Sequence, residues 1–151
     1  MRDVFIFLGQ MRRRWRVTGA IAPSGRPLAR AMADAVGEVA PGQVIVELGP
    51  GTGVFTRELV RRFPAARVVA VEVNDVFAAH LAAAVPGVSV VAGCATRLEA
   101  HLATLGYSRA DVAAVVSGLP LLSLPGDLPR QVLASIAGVL PAGRPDRKSV
   151  V

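Results

Sequence analysis

Seven consecutive residues, Glu47-Leu48-Gly49-Pro50-Gly51-Thr52-Gly53, combine an acid with three glycines at alternate positions. Glycine lets a backbone turn sharply and lets a ligand come within contact distance of the chain. The run follows the apolar stretch Val44-Ile45-Val46 and precedes a segment of helical periodicity. It therefore stands where a strand of an open α/β sheet passes into its helix, the place where such sheets bind ligands. A second acid, Glu72, ends the next apolar stretch and is suited to accept hydrogen bonds from ribose hydroxyls. The spacing is E-x-G-x-G-x-G, not the G-x-G-x-x-G that sets a helix N-terminus against a pyrophosphate. No Gly-Lys-Ser/Thr follows, which excludes a triphosphate loop. An acid two residues before the first glycine repels a phosphate but suits a cation, such as the ammonium of a methionine moiety. These residues point to S-adenosylmethionine as cofactor, with Glu47, Gly49, Pro50, Gly51, Thr52, Gly53, Glu72 and the adjoining Val73 forming its site. The plainer reading of both acids is that they are solvated residues at strand ends.

Such a site needs a sheet to hold it. Strands are expected over 43–48, 67–72, 88–92 and 110–117, each an apolar packet built on valine and isoleucine, as parallel strands buried on both faces require. Helices are expected from Pro27 or Leu28 to Val39, and over 52–63, 75–85, 98–105 and 128–139. Strands alternating with helices at this spacing predict right-handed crossovers and an α/β fold, a Rossmann-like doubly wound parallel sheet. With 151 residues the chain has the length of one domain. No apolar run reaches the roughly 18–20 residues needed to cross a bilayer as a helix. A single cysteine, Cys94, excludes an internal disulfide and a zinc cluster, so no metal is expected.

Charge is concentrated at the head. The first thirty residues hold seven arginines and one acid, which equals the formal net charge of +6 for the whole chain. The body is neutral, and the head calls for an anionic partner, either an acidic membrane surface or nucleic acid. Residues 1–17 read as a basic amphipathic helix. Phe7, Leu8, Met11 and Trp15 lie on one stripe, and Arg12, Arg13 and Arg16 lie on or near the opposite face. These residues form the expected membrane-binding element; packing over the cofactor site is the alternative. The cofactor domain is expected over 18–144.

With these residues in view, the segment from Val44 to Gly53 resembles motif I of class I methyltransferases. The likeness extends to Glu72 and to Gly93-Cys94-Ala95, where relatives carry Gly-Asp-Ala with the Asp on the adenine amine. Cys94 replaces that Asp, so the resemblance passes the adenine contact to the Ala95 backbone amide and apolar packing. Cys94, Ala95 and Ser117 complete the expected cofactor set. Ser117-Gly118-Leu119-Pro120 is similar to the Asn-Leu-Pro-Tyr site of ribosomal-RNA adenine dimethyltransferases. It departs from that site by having Ser-Gly for the Asn and Leu121 for the aromatic residue on which a flipped base stacks. A closer resemblance is to the bacterial phospholipid N-methyltransferases acting on phosphatidylethanolamine. It rests on Thr18-Gly19-Ala20-Ile21-Ala22-Pro23-Ser24, on Leu28-Ala29-Arg30-Ala31-Met32, on motif I, and on Ser117-Gly118-Leu119-Pro120-Leu121-Leu122, spanning most of residues 12–143.

The resemblance implies methyl transfer to the amine of phosphatidylethanolamine or a similar aminolipid. The protein would be a monomer, cytoplasmic and peripheral on the inner membrane, with anionic membrane lipids as partners and RNA as the alternative. Ser24, Gly118, Leu119 and Pro120 would form the active-site loop, although Ser24 could simply cap a helix. The carbonyls of Ser117 or Gly118 and the Tyr107 hydroxyl are candidate amine contacts. His80 and His101 read as surface residues and no catalytic base is identified. Leu140-Pro141-Ala142-Gly143-Arg144 resembles the turn before a fifth strand, yet no such strand is expected. The sheet is read as ending at the fourth strand, with 145–151 as a non-native or disordered tail and the chain as a fragment or non-catalytic remnant.

Overall fold

The computed structural model describes residues 25–140 and 148–150. The expected head helix, its membrane-binding residues and Ser24 lie outside them. Ten helices and strands, described in chain order, make up this part: α1 (Arg26–Val36), β1 (Val44–Leu48), α2 (Val54–Arg62), β2 (Arg67–Glu72), α3 (Asp75–Ala84), β3 (Val88–Ala92), α4 (Leu98–Thr104), β4 (Val112–Ser117), α5 (Leu128–Val139) and β5 (Lys148–Val150). The five strands pair in parallel, in the order β3-β2-β1-β4-β5. The doubly wound sheet is thus present. Its chain order reverses beside β1, which places a crevice between the C-terminal ends of β1 and β4.

The expectation that the sheet ends at β4 is corrected. Lys148, Ser149 and Val150 pair with Ala114, Val115 and Val116. The edge of β4 offers unpaired backbone groups, and a short segment satisfies them. The turn residues 141–147 lie outside the described part.

Alternation along β1 divides the core. Val44, Val46 and Leu48 face α4 and α5, packing with Leu98, Leu102, Val132, Ile136 and Val139. Ile45 faces the other way, toward Ala29, Ala33 and Val36 of α1 and Phe55 and Leu59 of α2. α3 covers β2 on that same side through Leu81 and Val85 against Ala70. β4 contains an irregularity that the sequence does not announce. Val44 pairs with Val112 but Ile45 pairs with Ala114, so Ala113 is one residue extra. This bulge puts Val112 and Val115 in one core layer and Ala114 and Val116 in the other.

Helix ends follow local chemistry. α1 carries a proline in its first turn and stops at Val36, three residues short of the expected end, because Gly37 adopts φ 78°. α3 starts on Asn74, whose side chain accepts from the amides of Val76 and Phe77. α2 begins later than expected, at Val54, because the glycine loop occupies the residues before it.

Candidate functional site

The glycine loop leaves β1 with Gly49, Gly51 and Gly53 at φ 66°, 58° and 77°. Other residues reach this left-handed region only at a cost of about 1–2 kcal/mol. At two of the three glycines a Cβ would also press on a neighbouring leucine side chain. A Cβ on Gly49 would lie 2.6 Å from Leu119 Cδ2, and one on Gly53 would lie 2.5 Å from Leu81 Cδ1. Around Gly51, by contrast, a Cβ would meet nothing within 4 Å. The loop thus presents an open backbone position between two packed ones. It is pinned to β2 by the Gly49 amide on the Val71 carbonyl (3.0 Å), and the Gly53 amide closes a turn on Pro50 (2.9 Å). The Arg57 guanidinium donates to the Thr52 carbonyl at 3.0 Å.

Glu47 lies on the α1/α2 side of β1 and is 2 % exposed. Removal from water pushes its carboxyl up to about 7, and the neighbouring negative charge of Glu72 adds to that; Thr56 opposes it. The opposition is incomplete. Both Glu47 Oε2 and Thr56 Oγ1 are buried without a hydrogen-bond partner among the described residues. A buried acid with an orphaned oxygen beside an open glycine backbone fits a ligand that brings its own positive charge. Glu72 ends β2, also buried, and its Oε1 accepts from the Asn74 amide at 3.0 Å. Its carbonyl accepts from Gly93 (2.9 Å), which ties the turn after β3 to the end of β2. Val73 is half-buried beside it.

The turn after β3 holds Cys94 and Ala95. The Cys94 thiol accepts from the Thr96 hydroxyl at 3.2 Å, and Ala95 packs on the α4/α5 core layer. His101 is not the surface residue expected from its helical position. It is half-buried, its Nε2 stands 3.0 Å from the Cys94 carbonyl, and its ring fills the space a Cβ on Gly93 would need. Its role is to set the shape of this turn. His80 is exposed, as expected.

The segment after β4 closes the site from the other side. Leu48 pairs with Ser117, and the Gly118 amide donates to the Leu48 carbonyl at 2.8 Å. A Cβ on Gly118 would lie 3.0 Å from the Gly49 carbonyl oxygen. The Ser117 hydroxyl accepts from the Leu119 amide at 3.2 Å, so it shapes its own turn. Leu119 and Pro120 are half-buried, and a short 3-10 turn over Leu121–Ser123 leaves Leu122 fully exposed. The cofactor loop and the expected acceptor loop therefore meet at a backbone contact between Gly49 and Gly118. Tyr107 does not join them. It follows α4 and precedes β4, at the N-terminal edge of the sheet, where it packs on the core. Its candidacy as an amine contact is corrected.

Residues 45–143 match a family described as a methyltransferase domain. The chain belongs to this methyltransferase family. An ornithine lipid N-methyltransferase of Singulisphaera acidiphila is 34% identical over 148 residues, covering 95% of this chain and 76% of the relative. A ribosomal RNA small subunit methyltransferase A of Moorella thermoacetica is 38% identical over 91 residues, 55% of this chain and 31% of that one. Among solved structures, an amino pentose methyltransferase from Micromonospora echinaspora, described as S-adenosylmethionine-bound, shares the fold at TM-score 0.63 and 22% identity, over 87% of this chain and 51% of that one. The methyltransferase's cofactor is S-adenosylmethionine, which supplies, when bound, a methyl group on a sulfonium. Glu47 and the Gly49–Gly53 backbone would hold its cationic amino-acid part, and Glu72 would hold its ribose. Among the described residues, no cluster of His, Cys, Asp and Glu could hold a metal, and no helix is long and apolar enough to cross a membrane.

Four contributors escaped sequence reasoning. Thr56, Arg57, Thr96 and His101 act through contacts whose sequence separation carries no motif. Only Gly93 offered a hint of His101, because a glycine at a strand end invites a close neighbour.

Proposed function

We propose that this methyltransferase transfers methyl groups to the amine of phosphatidylethanolamine or a similar aminolipid, such as an ornithine lipid, at a membrane surface. The observation that carries the reading is the apolar acceptor side. Gly118 abuts the cofactor loop, and the residues that follow are Leu119, Pro120, Leu121 and the exposed Leu122. An amine accepts a methyl only after losing its proton, and an apolar setting lowers an ammonium pKa. The residues of this loop contribute by excluding water and by offering backbone carbonyls at Ser117 and Gly118 to orient the amine. No side chain is assigned as base. The ornithine lipid relative, aligned over nearly the whole chain, supports the same acceptor class. An RNA adenine would need a polar acceptor and an aromatic platform, and Gly118 and Leu121 supply neither. The enzyme would work as a peripheral protein on the cytoplasmic membrane face, as a monomer, with the head helix over 1–17 holding it to anionic lipid.

The test uses labelled S-adenosylmethionine with anionic vesicles containing phosphatidylethanolamine or ornithine lipid, and separately with ribosomal RNA. Label in lipid is expected. Label in RNA alone overturns the reading, and cofactor binding with label in neither acceptor makes the chain a non-catalytic cofactor binder.

A further inference from the structure

A second feature lies outside the cofactor site. α1 and α2 run side by side, each entering at the C-terminal edge of the sheet, and a groove of about 490 Å³ lies along them. Among the described residues its lining is Arg26, Arg30, Val54, Arg57, Glu58 and Arg61. Four guanidinium groups thus face one carboxylate. Glu58 is already engaged by Arg61, at 2.5 Å, and Arg57 donates to the Thr52 carbonyl. Arg26 and Arg30 make no ion pair or side-chain hydrogen bond among the described residues, so the groove keeps an excess of positive charge with free donors. Guanidinium forks match the oxygens of phosphate.

The groove could suit either nucleic acid or a lipid surface on charge alone. Apolar side chains decide between them. Leu28, in the first turn of α1 on the flank away from the two arginines, is 52 % exposed. At the same edge of the sheet, Leu122 after β4 is fully exposed and Val76 at the start of α3 is 75 % exposed. A phosphate backbone offers nothing to exposed leucine. A bilayer interface takes both, with arginine at the phosphates and leucine below them.

We propose that the α1–α2 groove is a membrane contact that receives the phosphates of anionic phospholipid headgroups through Arg26 and Arg30. It seats the C-terminal edge of the sheet, and with it the crevice between β1 and β4, on the bilayer. This contact belongs to the folded domain. The inference rests on the reading that the acceptor is a membrane lipid.

The test is co-sedimentation of the full chain with phosphatidylglycerol-containing vesicles and with neutral phosphatidylcholine vesicles. The double variant Arg26→Gln/Arg30→Gln is compared with Arg67→Gln/Arg130→Gln, which removes equal charge elsewhere. Both pairs are exposed, so folding is retained, and S-adenosylmethionine binding by each verifies it. The groove variant is expected to bind anionic vesicles at least tenfold more weakly than the wild type, with the control within about threefold of it. Equal losses in the two variants, no loss in the groove variant, or no wild-type binding to anionic vesicles overturns the proposal. Loss of ribosomal RNA binding with vesicle binding intact overturns it in favour of nucleic acid. Lipid methylation measured alongside separates the two readings. Aminolipid methylated with unchanged vesicle binding by the groove variant removes the groove and keeps the acceptor. Groove-dependent vesicle binding without methylation of any aminolipid removes the acceptor and keeps the groove.

Discussion

β1 and β2 are neighbours that end at the same level, Leu48 beside Val71. Each carries a buried acid near its end and turns into a helix, yet the two turns are finished differently. After β2, the protein satisfies itself. Glu72 accepts from the Asn74 amide, and the Asn74 side chain caps α3. After β1, the protein leaves the work undone. α2 starts on Gly53 with no side-chain cap, Glu47 keeps an orphaned buried oxygen, and the backbone at Gly51 stands in open space. The difference teaches which end is structural and which is reserved. A turn that completes its own hydrogen bonds needs no ligand, whereas one that holds a buried acid out of water gains from a bound cation.

The comparison breaks most directly at Glu47. Glu47→Gln should weaken S-adenosylmethionine binding by about 100-fold, read by calorimetry, since removing one member of a buried charge pair costs several kcal/mol. The corresponding change at the other strand, Glu72→Gln, should cost less, because one of its oxygens is already engaged by the chain itself. Equal losses would dissolve the distinction.

Acidity gives the second test. The Glu47 carboxyl binds its proton more tightly in the folded chain, at about 7, than at its ordinary value of 4.5. Between these values the folded state holds more protons than the unfolded one, so stability falls as pH rises through that window. The loss amounts to about 3 kcal/mol. Denaturant unfolding without cofactor should show this slope in the wild type and lose it in Glu47→Gln. Cofactor affinity should run the opposite way. A cation favours the ionised acid, so affinity should rise by up to about tenfold per pH unit below 7 and level off above it. An affinity insensitive to pH would remove Glu47 from the cation site.

Smaller effects sharpen the picture. Gly49→Ala combines a left-handed φ with a contact on Leu119, and about 2 kcal/mol of stability should be lost with it. Asn74→Ala removes the cap of α3 and should cost about 1 kcal/mol in thermal or urea unfolding. Its cofactor affinity should stay within a few-fold of wild type, because the cap serves the helix and not the ligand.

Much of this was legible in the residues. Runs such as Val68-Val69-Ala70-Val71 are apolar on both faces, so the strands announced themselves, and Arg67–Glu72, Val88–Ala92 and Leu128–Val139 match the expected limits. The glycine loop was legible because its φ values leave few other residues possible. What stayed hidden depends on distance in the sequence. His101 reaches Cys94 through the tight turn at Ala95–Arg97 that opens α4, and Tyr107 falls at the far edge because α4 runs back along the sheet. β5 was missed because three residues are too few for a period to register. The meaning of Gly118 was read as part of a motif, but its cause is the Gly49 carbonyl pressed against it.

The extra residue at Ala113 has a consequence for the end of its strand. It works as a phase shift in the side-chain alternation. Below it, β4 is in step with β1 from Val44, and above it the alternation restarts, so that Val116 stands beside Glu47 and Ser117 beside Leu48. Were Ala113 fitted as an ordinary strand residue and not as a bulge, the polar end of β4 would rotate by half a turn and offer Ser117 to the α2 side. The orientation of the acceptor loop is therefore set at the opposite end of the strand, far below any ligand.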